Sequence, residues 1–164
     1  MVVTNEPEAT GGDPACWAGL DERPLTLDDR MLAQLVRGLA DAVVIADRAG
    51  TIRLWNDAAE RLFGWSASEA LGQPLTMIVP ERLRTRHSSG YEHVMDTGVT
   101  QYGDRLLQVP ALRRDGEQLS IAFTVSLLHD DMRTPVGVAA VIRDDTETWK
   151  LRRAARPQPG GATG

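Results

Sequence analysis

Met31, Leu32, Leu35, Val36 and Leu39 recur at helical spacing and draw one apolar stripe. Thr26, Asp28 and Asp29 precede it, which suits a helix start: a hydroxyl caps free amides and acids favour the positive end of the dipole. Gly38 lies near the end of this amphipathic helix. Its stripe fits either the chain's own sheet or a dimer contact, since both need one greasy face. The pattern then changes period. Ala42 to Ala46 is a β-branched run, Asp47 to Gly50 supplies turn residues, and Thr51 to Trp55 alternates, so an antiparallel hairpin is predicted. Pro80 opens a polar helix that Gly98 stops. Three further strands fit Leu106 to Leu112, Gln118 to Leu128 and Val136 to Ile142. Because turns join the late strands without a helix between them, the order predicts an α+β domain with a five-stranded antiparallel sheet and short helices on one face.

Both ends lack such periodicity. Residues 1–24 read as a flexible leader, 25–40 as the N-terminal helix, 41–148 as the domain, and 149–164 as a short helix start followed by a flexible Pro- and Gly-rich tail. With 164 residues, 42% hydrophobic and 25% charged, one core is expected. The net charge of −5 argues against nucleic acid as a partner, which would demand a basic surplus. The single cysteine, Cys16, allows neither an internal disulfide nor a cysteine-ligated metal cluster. No apolar run approaches the ~20 residues that span a bilayer, so a soluble, cytoplasmic protein without membrane contact is expected.

The stretch from Trp55 through Asn56, Phe63, Gly64 and Trp65 to Gly72 resembles the core signature of PAS sensory domains. In that family a strand ends at Asn, a short helix follows, a Gly-aromatic pair breaks it, and a second short helix closes at Gly. The resemblance extends through Arg114-Asp115-Gly116 and the terminal Asp144-Asp145-Thr146, covering roughly residues 39–148. It implies a PAS fold and a sensor or docking module, with a pocket between sheet and helices that holds haem, flavin, a covalent chromophore, a metabolite or nothing. With no cysteine after Cys16, the photoactive cysteinyl-flavin and cinnamoyl types lose their attachment point. Non-covalent flavin stays open.

Haem needs an axial ligand, and an imidazole on a pocket-facing helix is a common one. His87, His93 and His129 are the three histidines, and His129 falls in a predicted hairpin loop. Arg84 to Tyr91, with Gly98 downstream, is similar to the haem-binding helix of oxygen-sensing histidine kinases of the PAS family. Carried over by position, the resemblance makes His87 the iron ligand of haem b, with Leu83, Tyr91 and Val94 on the same face. His93 stands where that family places a propionate-binding Arg. Leu107 stands where those sensors carry an oxygen-binding Arg, with Arg105 two residues before it, while Phe123 and Val125 take distal aliphatic positions. An apolar distal side of this kind suits carbon monoxide or nitric oxide better than oxygen. The ordinary alternative for a histidine on a polar helix is solvent exposure.

The reading for function is therefore a signal-sensing domain that answers a diatomic gas or redox state and passes the signal through a homodimer or a partner protein. The competing reading is a cofactor-free PAS interaction domain. No nucleophile-base pair, phosphate loop or zinc spacing points to an enzyme.

Overall fold

The structure is a computed structural model that describes residues 28–100 and 105–155. The leader, Thr26 and the tail beyond residue 155 lie outside the described residues. Helix α1 (Asp29–Gly38) is capped by Asp28, whose carboxylate accepts from the Met31 amide at 2.7 Å. Strands β1 (Ala42–Asp47) and β2 (Ile52–Trp55) form the predicted hairpin. Then come α2 (Asp57–Phe63), α3 (Ala67–Ala70), a 3-10 turn (Leu75–Ile78) and α4 (Glu81–Thr97). Strands β3 (Leu107–Leu112), β4 (Gln118–His129) and β5 (Pro135–Asp144) follow, and α5 (Thr146–Ala154) closes the described chain.

The sheet order is β2-β1-β5-β4-β3 with every neighbouring pair antiparallel. The last strand is thus the central one. It lies between the first hairpin and the β3–β4 hairpin, so it couples the two halves of the sheet. Register fixes which residues share a face, because directly opposed positions in an antiparallel pair project to the same side. Val44 opposes Trp55 and Ala140, and Phe123 opposes Leu107 and Ile142. This inner face packs with Ala58, Ala59, Phe63, Ala70 and Ile78 from the helical layer into one core. Phe63 is fully buried and lies 5.2 Å from the Trp55 ring; removing such a side chain from water contributes roughly 2–3 kcal/mol.

Asn56 organises the junction of strand and helix. Its Oδ1 accepts from the Val43 amide at 2.9 Å and, as the cap of α2, from the Ala59 amide at 3.0 Å. Its Nδ2 donates to the carbonyls of Val36 and Asp41, both at 3.0 Å. A buried amide whose donors and acceptor are all engaged costs little to desolvate and fixes four segments at once. Gly64 ends α2 in the left-handed region at φ 78°, where a side chain would strain the backbone. That turn lets Arg114 of the β3–β4 hairpin donate its amide to the Phe63 carbonyl at 2.9 Å.

Candidate functional site

Helix α4 starts after Pro80 and stops at Gly98, which adopts φ 65° and returns its amide to the Val94 carbonyl. Leu83, His87, Tyr91 and Val94 are spaced three or four residues apart and all four are half-buried, so they form one stripe turned toward the domain. His93 is exposed, off that stripe. Met95 is the fully buried anchor of the last turn.

His87 is the chemically distinctive member. Its Nδ1 atom is sealed from solvent and has no hydrogen-bond partner among the described residues. Burial pushes the imidazole below its ordinary value of 6.5, since a charged ring loses hydration there. A neutral imidazole with a free nitrogen is the form that ligates metals. Its ring stacks on Tyr91 with centroids 6.2 Å apart and planes at 27°.

Tyr91 is more than a neighbour on that stripe. Its hydroxyl lies 2.6 Å from the Asp47 carbonyl and 3.1 Å from the Ala46 carbonyl, which fastens α4 to the end of β1. Burial, and then the Asp47 carboxylate, push the phenol up to about 12, so it stays a donor throughout the physiological range. Arg48, one residue on, donates to the Met95 carbonyl at 2.7 Å, the Pro135 carbonyl at 3.1 Å and the Asp96 carboxylate at 2.8 Å. In the sequence Asp47 and Arg48 show only as turn residues. A polar turn beside a helix C-terminus leaves no local mark of such a long-range tie.

The sheet side of the site comes from β3 and β4. Leu107 opposes Phe123, and Val125 opposes Ala140, so all of these lie on the inner face with the core. Leu107, Phe123 and Val125 remain half-buried. Near them Val109 is 37% exposed although it opposes buried Ile121. Helix α4 lies over β5 and the 3-10 turn, and the inner face toward β3 is left incompletely covered by the described residues. Arg105 is exposed, and His129 is the exposed last residue of β4 rather than a loop residue.

A hollow of about 500 Å³ opens elsewhere, beside Pro80, Glu81, Arg82 and Leu112 at the start of α4. It is wide open and lacks His87, so the chemistry of the site rests on the stripe instead. A smaller polar crevice of about 340 Å³ runs between α5 and the β3–β4 hairpin, where Arg113 faces Asp144 at 3.4 Å. For a haem, the residue types present fit: an orphaned, uncharged imidazole nitrogen on α4 and incompletely covered apolar side chains on β3 and β4.

No described helix is long and apolar enough to cross a membrane. The chain is 39% identical over 115 residues to an uncharacterized protein of Azorhizobium caulinodans, which covers 70% of this chain and 15% of that protein. It is 38% identical over 98 residues to the sensor protein FixL of Bradyrhizobium diazoefficiens, covering 58% of this chain and 19% of that one. The chain therefore spans less than a fifth of the length of these two relatives. Among solved structures, the PAS domain of a Colwellia psychrerythraea protein superposes with a TM-score of 0.63 at 24% identity, over 72% of this chain and 97% of that one. The PAS-fold family profile matches residues 30–144, which is most of the chain, and the sheet order and helical layer agree with it. The chain belongs to the PAS family of sensory domains.

Proposed function

We propose that this domain binds haem b through His87 and senses a diatomic gas or the redox state of the iron. The observation that supports this reading is the buried His87 Nδ1 without a partner, on a half-buried helix stripe in a domain whose β3 and β4 carry incompletely covered apolar residues. When bound, haem supplies an iron centre whose open coordination position or oxidation state answers the signal. His87 would hold that centre, and half-buried Leu83 and Val94 on the same helix face would limit water around it. Half-buried Leu107, Phe123 and Val125 would give that centre an apolar lining, which favours carbon monoxide or nitric oxide. Exposed His93 offers one donor to a propionate at the rim, weaker than a bidentate Arg.

Output follows from the same strand. The Asp145 amide donates to the Ser120 carbonyl at 2.8 Å, and the Ser120 amide donates to Thr146 Oγ1 at 3.1 Å. Phe123 lies three residues along β4 from Ser120, so a displaced Phe123 pulls on the start of α5. The domain acts as a binding module of a cytoplasmic signalling protein, with no catalytic role and no nucleic-acid partner. Absorption spectroscopy of the haem-reconstituted chain tests this: no Soret band, or one unchanged by His87→Ala, overturns it.

A second reading, a cofactor-free domain that pairs with a second copy of this chain, draws on the surface of α1. Leu32, Leu35 and Leu39 are 44%, 55% and 36% exposed there, and Val141 on the central strand is 40% exposed. Sedimentation of a colourless protein that dimerises, and loses the dimer when Leu32 and Leu35 become polar, favours it.

A further inference from the structure

We propose that Tyr91 is the positioning residue of His87, setting the plane of the imidazole through its stacked ring while its hydroxyl is fastened to the end of β1. This inference rests on the reading of His87 as the cofactor ligand and deepens it.

A ligand imidazole is normally oriented by a hydrogen bond from its second nitrogen to a carbonyl or carboxylate. His87 lacks that device among the described residues, because neither of its ring nitrogens has a hydrogen-bond partner there, so whichever one ligates, the other is untethered. The intervening residues give no help: Ser88, Ser89 and Gly90 are small, and a Cβ placed on Gly90 would meet nothing within 4 Å. The ring contact at 6.2 Å and 27° is what remains to fix the imidazole, and its separation lies within the range of favourable aromatic pairs.

A stacked ring positions its neighbour only if it is itself held. Tyr91 is held by acceptors that cannot drift. The Asp47 carboxylate accepts from the amides of Ala49 and Thr51, both at 3.0 Å, and from Arg53 Nε at 2.7 Å. The Asp47 carbonyl takes the Gly50 amide at 2.8 Å as well as the Tyr91 hydroxyl, so both of its lone pairs are engaged. Behind Ala46, strand β5 approaches so closely that a Cβ on Gly137 would stand 2.5 Å from the Ala46 carbonyl oxygen. Tyr91 thus transfers the rigidity of the β1–β2 turn and the central strand to an imidazole that has no tether of its own.

The test uses the haem-free full chain, so that it stands apart from cofactor binding. Histidine-ring NMR on the wild type is expected to show a through-space contact between the His87 and Tyr91 rings and a ring-current displacement of the His87 signals. Tyr91→Leu should abolish that displacement, whereas Tyr91→Phe, which keeps the ring but loses its hold on β1, should retain it only in part. In the haem-loaded protein, Tyr91→Leu should weaken haem retention by roughly 10-fold or more, the usual effect of losing a group that orients a metal ligand. Absence of the ring contact in the wild type, or His87 signals that Tyr91→Leu leaves in place, overturns the proposal. A wild type that shows the contact yet takes up no haem supports the hold of Tyr91 on His87 and overturns haem ligation alone.

Discussion

The side-chain amide of Asn56 donates to the carbonyl of Val36 at 3.0 Å, so a single buried polar group ties the N-terminal helix to the strand-helix junction of the core. The same side chain serves Val43, Ala59 and Asp41. Asn56→Ala therefore leaves two amides and two carbonyls without their partner. A loss of about 3 kcal/mol in urea unfolding is expected, because unsatisfied buried groups cost more than a made hydrogen bond contributes. Loss of protection in α1 by hydrogen exchange should accompany it.

Gly137→Ala tests the closeness of β5 to β1. An added Cβ would meet the Ala46 oxygen at 2.5 Å and the Asp47 Cα at 3.3 Å, and both are backbone atoms that cannot turn aside. Thermal unfolding should show destabilisation of roughly 2–3 kcal/mol, the usual scale of overpacking.

Arg48→Ala should free the C-terminal turn of α4 from the hairpin, since Met95, Asp96 and Pro135 all lose a donor. The Arg48–Asp96 ion pair is solvent-exposed, so the global cost is held to about 1 kcal/mol. Hydrogen exchange of the amides near Met95 should accelerate more than that of the sheet.

His87 predicts a pH dependence of stability. Its folded value lies below the ordinary 6.5 because of burial, so between the two values the unfolded chain binds the extra proton. Stability is therefore fully present above about pH 6.5 and falls as pH drops toward the folded value. The lowered carboxylates, Asp41, Asp47, Glu69 and Asp144, act only at lower pH, below ordinary values of 3.8 for the aspartates and 4.5 for Glu69. Urea midpoints compared at about pH 5 and about pH 8 should differ more in the wild type than in His87→Leu.

Much of the fold was legible in the residues. Strand patterns, the hairpin turns and Gly98 act locally, and the structure places them as the periodicity and turn chemistry imply, while the break at Gly64 falls where the family resemblance sets it. The start of α1 is set by Asp28, one of the acids read as favouring the helix dipole. The half-buried stripe of α4 was equally legible, because it needs only helical spacing. The hub at Asn56 and the ties from Tyr91 and Arg48 were not. Each joins residues separated by up to 87 positions, and hydrogen bonds to main-chain carbonyls carry no sequence signature at the acceptor.

Haem ligation by His87 is open to titration of haem into the purified chain, following the Soret band in the wild type, His87→Ala and exposed His93→Ala. Saturable one-to-one uptake is expected of the wild type and of His93→Ala, with the band lost or displaced in His87→Ala alone. Equal spectra from the wild type and His87→Ala, or no saturable uptake by the wild type, would contradict it.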